Sequence, residues 1–276
     1  MKKNTLALVA FLCSVLLFGS CANSNISEEK EVKEETKLEQ SESDLTVFAA
    51  ASMTESLNEL KDIFEKDNAD IKLSYNFDSS GTLKTQIEEG ADCDVFISAA
   101  KKQMNELEGL DKGKESLIDR DSRFDLLENE VTLAVNEDSD KDISAFDDLN
   151  TDKVSSIALG NSDVPVGQYS EELLTNLGIW EDIQDKVIFG SNVKEVTTWV
   201  SEGVVDCGII YSTDANTAGL KIVDRVDSSK FENRIIYPAA LTKNSKNKEA
   251  GEKFLEFLQT DKAQEVFEKY GFKKAM

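Results

Sequence analysis

Four turns in the sequence offer hydrogen-bond donors at the starts of predicted helices. Ser52 opens one helix in FAAASMTESL, and Ser80 opens a second in FDSSGTL. A third helix follows Pro165 and Val166 in DVPVG, and a fourth follows Asn192 in NVKEV. The first N–H groups of a helix have no partner within the helix and carry a partial positive charge. Several such helix starts directed at one place would bind an anion without Lys or Arg.

Each turn also has a purely structural interpretation. Ser52 and Glu55 fit a capping box, and Asn192 fits a helix N-cap. Gly81 and Gly167 fit tight turns, which glycine accommodates easily. The binding interpretation is favoured because these turns follow predicted strands, and open α/β sheets bind ligands at the carboxyl ends of their strands.

The composition excludes several classes of site. The chain contains no histidine, which excludes a Ser-His-Asp triad, a Cys-His pair and a histidine zinc site. The formal net charge of -23 disfavours binding to nucleic acid. None of the four arginines lies in the donor turns; they are Arg120, Arg123, Arg225 and Arg234.

Short apolar runs alternate with helical patterns from residue 44 onward. Strands are predicted at residues 45–49, 71–75, 94–98, 131–135, 156–159, 187–189, 207–211, 222–226 and 235–241. The first predicted helix carries Met53, Leu57, Leu60 and Phe64 on one face. Further helices are predicted at residues 83–89, 168–177, 193–202, 247–258 and 262–270. This alternation predicts an α/β protein with mostly parallel sheets, arranged as two lobes around a cleft.

The N-terminal segment has the features of a targeting signal followed by a spacer. Residues 1–20 combine a basic start with an apolar run and predict a signal peptide. The stretch LLFGSC resembles a lipoprotein signal, in which Cys21 becomes the lipidated first residue. Ordinary secretion, with Cys21 as a free thiol, is the alternative. Residues 21–43 are rich in Glu, Lys and Ser and predict a disordered acidic tether, or else a lone charged helix.

Two further cysteines lie in matching sequence contexts. Cys93 occurs in IEEGADCDVFIS and Cys207 in VSEGVVDCGIIY. Both are interpreted as small buried hydrophobic residues, and a disulfide between them is the alternative. The similarity of the two stretches suggests equivalent elements in two related halves.

Six stretches, taken together, resemble the molybdate-binding proteins of ABC importers. They are FAAASMTESL, FDSSGTLKTQIEEGADCDVFISA, VPVGQYSEELLTNLGIW, GIIYSTDA, IIYPAAL and AQEVFEKYGF, and the resemblance covers residues 44–272. It implies a type II periplasmic-binding fold, with two α/β lobes joined by two crossing strands near residues 122–127 and 237–238. The implied first lobe comprises residues 44–123 and 238–276, and the second comprises residues 124–237.

The resemblance also implies a set of ligand contacts. Ser52 and Ser80 would bind an oxyanion through hydroxyl and amide groups. Val166 and Val193 would donate main-chain N–H groups, and Tyr211 would donate its phenol. No catalytic residue, metal cation or cofactor is implied.

The implied function is capture of molybdate, and of tungstate, by a monomeric protein anchored to the cell membrane through Cys21. The protein would deliver the anion to the membrane subunits of an ABC permease. A site built only of donors suits a dianion without a proton, although Asp78 is an adjacent acceptor that a phosphate could use. Sulfate, phosphate or a small organic acid are alternative ligands. A serine hydrolase with Ser52 as nucleophile and Lys84 or an aspartate as base, and an adhesin or scaffold, are alternative functions.

Overall fold

The computed structural model describes residues 43–109, 115–226 and 234–275. The predicted signal peptide, Cys21 and all but the last residue of the tether lie outside these ranges. Residues 40–276 form one compact unit. Within the described ranges, none of the helices has both the length and the apolar character needed to span a membrane.

The described chain alternates strands and helices as the sequence predicts. The strands are β1 (Ser43–Ala50), β2 (Ile71–Asp78), β3 (Val95–Ile97), β4 (Phe124–Glu128), β5 (Val131–Val135), β6 (Ile157–Gly160), β7 (Val187–Gly190), β8 (Cys207–Tyr211), β9 (Lys221–Arg225), β10 (Ile236–Leu241) and β11 (Lys273–Lys274). The helices are α1 (Thr54–Asp67), α2 (Ser80–Glu88), α3 (Lys101–Glu108), α4 (Pro165–Asn176), α5 (Trp180–Ile183), α6 (Val193–Ser201), α7 (Ser212–Thr217), α8 (Lys248–Leu258) and α9 (Asp261–Lys269).

The strands form two sheets with related strand orders. The first sheet has the order β2-β1-β3-β10-β4-β11, and the second has the order β7-β6-β8-β5-β9. Strand β1 is parallel to β2 and β3, and β6 is parallel to β7 and β8. The strands β10 and β5 run antiparallel to β3 and β8, respectively. The predicted α/β fold with two sheets is therefore confirmed. The sheets are mixed and not mostly parallel, since four strand pairs among the described residues are parallel and five are antiparallel.

The two sheets contain the same succession of elements. The run β1-α1-β2-α2-β3 in the first sheet corresponds to β6-α4-β7-α6-β8 in the second. Cys93 lies just before β3 and Cys207 begins β8, so the matching cysteine contexts occupy corresponding places. Both cysteines are buried and free, which contradicts the disulfide alternative. The relationship between the halves suggested by the sequence is thus present in the topology.

Two connections join the sheets. The first runs from β4 through Asn129 and Glu130 into β5, and the second runs from β9 to β10. The strands β4 and β10 pair with each other, with a shift in register between Tyr237 and Pro238. The predicted lobe boundaries assign residues 124–128 to the second lobe, whereas β4 pairs within the first sheet. The exact hinge positions stay a prediction.

Candidate functional site

A small cavity lies where the donor turns of the two sheets meet. Its volume is about 10 Å³, roughly the space of a single water molecule. The residues that line it are Ala50, Ala51, Ser52, Asp78, Ser79, Ser80, Ala99, Val164, Pro165, Val193 and Tyr211. Four of the five predicted ligand residues are among them. The fifth, Val166, follows Pro165 in the sequence, is buried and is not part of the lining.

The cavity is built from corresponding turns of the two sheets. Ser52 follows β1 and Ser80 follows β2, whereas Val166 follows β6 and Val193 follows β7. The strands β1 and β2 run parallel, as do β6 and β7, so their carboxyl ends lie at one edge of each sheet. The four turns therefore bring two pairs of helix starts toward the same space.

The surroundings of Ser52 differ from the predicted capping box. Ser52 lies in a 3₁₀ turn, Ala51–Met53, and Met53 takes the N-cap position of α1 without a side-chain hydrogen bond. The Glu55 carboxylate instead lies 2.7 Å from Lys194 Nζ, on the second sheet's α6. The capping-box prediction is wrong because both side chains have partners that are distant in sequence. Ser52 Oγ lies 3.0 Å from the hydroxyl of Tyr237.

Ser80 is the first residue of α2 and is completely buried. The preceding Ser79 caps the helix, because its Oγ accepts the N–H of Thr82 at 3.1 Å. Ser80 Oγ accepts the N–H of Ala99 at 2.9 Å. Since a main-chain N–H can only donate, the hydroxyl proton of Ser80 is free to donate to a ligand.

The two valines occupy the first turns of their helices. Val193 is the first residue of α6, and the side chain of Asn192 caps this helix by accepting the N–H of Glu195 at 3.1 Å. Val166 is the second residue of α4, after Pro165. Main-chain N–H groups at these positions have no acceptor within the helix, so they can serve an anion. The predicted cap at Asn192 is confirmed.

Tyr211 ends β8 with its ring buried between the sheets. Its hydroxyl lies 3.5 Å from the carbonyl oxygen of Ala99, in the first half of the chain. Burial, reinforced by the neighbouring Tyr237, raises the pKa of Tyr211 well above its usual range. The phenol therefore stays protonated and can act as a donor.

Asp78 is the one charged residue in the lining of this cavity. Its Oδ1 accepts the N–H of Ser79 at 2.7 Å and lies 3.5 Å from Nδ2 of Asn192. The carboxylate thus already serves the turn that precedes α2 and reaches the cap of α6. Asp78, the possible acceptor for a protonated ligand in the sequence analysis, therefore lies close to the donors.

The structure shows contacts between the two halves that the sequence did not reveal. The N–H of Gly81 donates to the carbonyl oxygen of Asp163 at 2.9 Å. Lys194 Nζ lies 2.7 Å from Glu55 and 3.1 Å from the buried Asp214. Desolvation opposes the charge on Lys194, but these two carboxylates outweigh it and raise the pKa of the lysine. These contacts hold the donor turns of the two sheets together.

We expect Gly81→Ala to weaken ligand binding without unfolding the protein. A Cβ at this position would overlap the carbonyl oxygen of Asp163 and approach its Cα to 2.8 Å. Overlap of this kind costs about 1–3 kcal/mol, so the dissociation constant should rise roughly fivefold to a hundredfold. Calorimetric titration measures this change. Thr85→Ala, on the exposed face of the same helix, is the control, and unchanged affinity in Gly81→Ala would contradict the role assigned to this contact.

The cavity offers donors rather than ligands for a metal cation. Hydroxyl groups, main-chain N–H groups and apolar side chains make up its wall apart from Asp78. In the part of the chain that the structure describes, no group of three or more His, Cys, Asp or Glu residues could hold a metal ion. The donor set matches the chemistry of an anion.

Two related α/β halves around a donor-lined cavity define a protein that binds a solute between its lobes. The chain belongs to the bacterial extracellular solute-binding proteins, whose family model matches residues 45–273. It therefore acts outside the cytoplasm. The alternative classes, a hydrolase and an adhesin, are not what this family describes.

Two relatives have particularly informative names. The chain is 36% identical over 267 residues to a putative ABC transporter substrate-binding lipoprotein, YvgL, of Bacillus subtilis, with 96% of each chain covered. It is 33% identical over 232 residues to the molybdate-binding protein ModA of Haemophilus influenzae, covering 83% of this chain and 89% of that protein. These matches confirm the resemblance inferred from the six sequence stretches.

Solved structures agree with this assignment. The substrate-binding domain of a putative molybdenum ABC transporter from Clostridium difficile is 39% identical, with a TM-score of 0.63 over 84% of this chain and 99% of that one. The periplasmic molybdate-binding protein of Azotobacter vinelandii has a TM-score of 0.74 at 22% identity, over 84% of this chain and all of that one. At this lower identity the likeness concerns the fold alone.

Proposed function

We propose that this protein captures molybdate outside the cytoplasm and delivers it to the membrane subunits of an ABC permease. The observation that carries the proposal is the cavity where four corresponding turns bring hydroxyl and N–H donors together. Its lining includes neither Lys nor Arg. The names of the relatives from Haemophilus influenzae and Clostridium difficile support molybdate as the anion.

The proposed contacts use donors from both halves of the chain. Ser52 and Ser80 donate hydroxyl protons, Val166 and Val193 donate main-chain N–H groups, and Tyr211 donates its phenol proton. Molybdate is a tetrahedral dianion without a proton, so every oxygen can accept such hydrogen bonds. Tungstate has the same shape and charge and fits the same donors. Binding requires no bond to be made or broken, so we propose neither catalysis nor a cofactor.

The lining of the cavity would adjust to the anion while the two halves stay in contact. The cavity has about the volume of one water molecule, whereas a tetrahedral oxyanion presents four oxygen atoms. The side chains and turns that line the cavity would therefore shift to make room for it. The contact between Gly81 and Asp163 would persist in the bound state, and this is why a Cβ at position 81 should weaken binding.

Calorimetric titration of the wild-type protein with molybdate, tungstate, sulfate and phosphate tests the proposal. Molybdate and tungstate should each bind in a one-to-one ratio, with sulfate and phosphate binding more weakly. Tighter binding of sulfate than of molybdate would overturn the assignment of the ligand.

Phosphate is a second candidate because Asp78 lines the cavity and could accept a proton from hydrogen phosphate. Asp78→Asn separates the two ligands. Removing this negative charge should preserve or strengthen the binding of a dianion without a proton. Loss of binding in this variant, together with tighter phosphate binding by the wild type, would favour phosphate.

We also propose that Cys21 carries a lipid and that residues 21–43 connect it to the folded unit. Both lie outside the described residues, apart from Ser43, and the name of the lipoprotein relative from Bacillus subtilis supports the proposal. A monomer would be sufficient, since both halves of the cavity come from one chain.

Cys21→Ala should release the protein from the membrane. Cell fractionation with an antibody against the folded unit should find the wild type in the membrane fraction and the variant in the soluble or secreted fraction. Its molybdate affinity should stay the same, because every residue that lines the cavity belongs to the folded unit. A wild-type protein already free of the membrane would contradict the anchor.

A further inference from the structure

A chain of buried hydrogen bonds leads from a connection between the sheets to Ser52. Asn129 Nδ2 lies 2.9 Å from Thr213 Oγ1 and 3.0 Å from the hydroxyl of Tyr237. The Tyr237 hydroxyl lies 3.0 Å from Ser52 Oγ. Tyr237 is completely buried and Asn129 is nearly so. Neither Asn129 nor Tyr237 lines the cavity, and neither was singled out as a ligand contact.

The direction of the hydrogen bond between Asn129 and Tyr237 follows from a main-chain donor. The N–H of Glu130 lies 2.8 Å from Oδ1 of Asn129, and an N–H group can only donate. The side-chain NH₂ of Asn129 therefore faces Tyr237 and donates to its hydroxyl oxygen. The phenol proton of Tyr237 is then available for Ser52 Oγ. When Ser52 Oγ accepts this proton, its own proton is free to point toward the cavity that Ser52 lines.

We propose that Tyr237, oriented by Asn129, is a positioning residue that fixes the Ser52 hydroxyl as a donor to the bound oxyanion. This inference rests on the proposed function and adds residues behind the ligand contacts. It also gives a reason why the site would prefer an unprotonated dianion over a protonated oxyanion. A Ser52 oxygen that already accepts from Tyr237 has less capacity to accept a proton from a protonated oxyanion.

Asn129 and Tyr237 lie at the two connections between the sheets, so their hydrogen bonds link the ligand site to these connections. Asn129 follows β4 in the first connection, and Tyr237 lies at the start of β10, where the second connection ends. The N–H of Asn129 donates to the carbonyl oxygen of Ile235 at 3.1 Å, so the two connections are bonded to each other. Burial raises the pKa of Tyr237, which keeps its phenol protonated, as a hydrogen bond from Tyr237 to Ser52 requires.

Tyr237→Phe is the first test, because it removes the hydroxyl and keeps the ring. The edge-on ring contacts with Tyr211 at 5.8 Å and Phe272 at 5.5 Å can persist. The dissociation constant for molybdate should rise about threefold to tenfold, as expected for one neutral hydrogen bond. Tyr75→Phe is the control, since the buried hydroxyl of Tyr75 has no hydrogen-bond partner among the described residues.

A double-mutant cycle separates positioning from general structural support. In a Ser52→Ala background, Tyr237→Phe should cause little further loss of molybdate affinity, because the hydroxyl that it positions is gone. An equal loss in both backgrounds would show that Tyr237 acts independently of Ser52 and would overturn the proposal. Unchanged affinity in the single Tyr237→Phe variant would overturn it as well.

Asn129→Asp tests the donor-to-acceptor direction of the hydrogen bonds that join Asn129, Tyr237 and Ser52. The new carboxylate oxygen would accept the Tyr237 proton, so Ser52 would donate to Tyr237 instead of to the anion. Molybdate affinity should fall more than in Tyr237→Phe, and part of this loss should vanish in the Ser52→Ala background. A loss of the same size in both backgrounds would reflect charge repulsion alone and would contradict the proposed direction.

The same titrations distinguish failure of this inference from failure of the proposed function. If the wild type binds another of the four oxyanions in place of molybdate, the proposed ligand is wrong, and the cycle run with that anion decides the role of Tyr237. If the wild type binds none of them, both proposals are overturned. If the wild type binds molybdate and the cycle shows no coupling, the positioning role alone fails.

Discussion

Val193→Pro is expected to weaken molybdate binding by about tenfold to a hundredfold while the protein stays folded. Val193 is the first residue of α6, where its N–H has no role in the helix and proline is well tolerated. Asn192 before it is extended, with φ -155° and ψ 171°, as a residue preceding proline prefers. A hydrogen bond to a charged group contributes about 1.5–3 kcal/mol, which sets the expected loss. Calorimetric titration measures it.

Two matched variants show whether the loss comes from the N–H group. Val193→Ala keeps the main-chain donor and should bind nearly as the wild type does. Asp261→Pro places a proline at the first position of α9, also after an extended residue, Thr260 (φ -68°, ψ 154°), and should leave binding unchanged. Equal losses in Val193→Ala and Val193→Pro would point to the side chain and contradict the donor role. The same change at Val166 is less clean, because it would follow Pro165 inside α4.

Ser80→Ala is expected to reduce both ligand affinity and stability. Removing the hydroxyl takes a donor from the anion, which should raise the dissociation constant by about tenfold to a hundredfold. It also leaves the buried N–H of Ala99 without the acceptor it has at 2.9 Å. An unsatisfied buried donor costs about 1–3 kcal/mol, so the free energy of unfolding without ligand should fall by a similar amount. Chemical denaturation and calorimetric titration measure the two effects.

Ser56→Ala provides the comparison for this double effect. Ser56 is also buried, and its hydroxyl donates to the carbonyl oxygen of Met53 at 3.0 Å, outside the cavity lining. Its removal should change stability modestly and leave molybdate binding unaffected. If Ser80→Ala lowers stability but binds molybdate like the wild type, Ser80 supports the turn and does not contact the ligand.

The strands were the most predictable part of the fold. The predicted ranges 131–135 and 207–211 coincide with β5 and β8, whose residues are all buried. Continuous apolar runs of this kind are typical of strands covered on both faces. The order of strands in the two sheets could not be read in the same way, because it depends on contacts distant in sequence.

Three helices were missed because their local patterns are weak. Helix α7 has the polar sequence STDANT, yet Ser212, Thr213 and Asp214 in it are buried. Its polar groups are paired with partners elsewhere, such as Asn129 for Thr213 and Lys194 for Asp214. Helices α3 and α5 have eight and four residues, too few to establish a clear periodicity.

The candidate site was predictable in its residues and not in its supporting contacts. Helix-start chemistry and the family resemblance together pointed to Ser52, Ser80, Val193 and Tyr211, which line one cavity. The hydrogen-bond partner of Ser52 is Tyr237, 185 positions away, and no local sequence motif predicts such a contact. The size of the cavity likewise depends on how closely the two sheets approach, which local sequence patterns do not encode.

Anomalous X-ray diffraction at the molybdenum absorption edge, from crystals of the wild-type protein with molybdate, tests the central claim most directly. The account predicts one molybdenum atom per chain, inside the cavity lined by Ser52, Ser80 and Tyr211. Its oxygen atoms should lie within hydrogen-bonding distance of those hydroxyls and of the N-terminal N–H groups of α4 and α6. A molybdenum atom bound elsewhere on the chain, with none in this cavity, would contradict it.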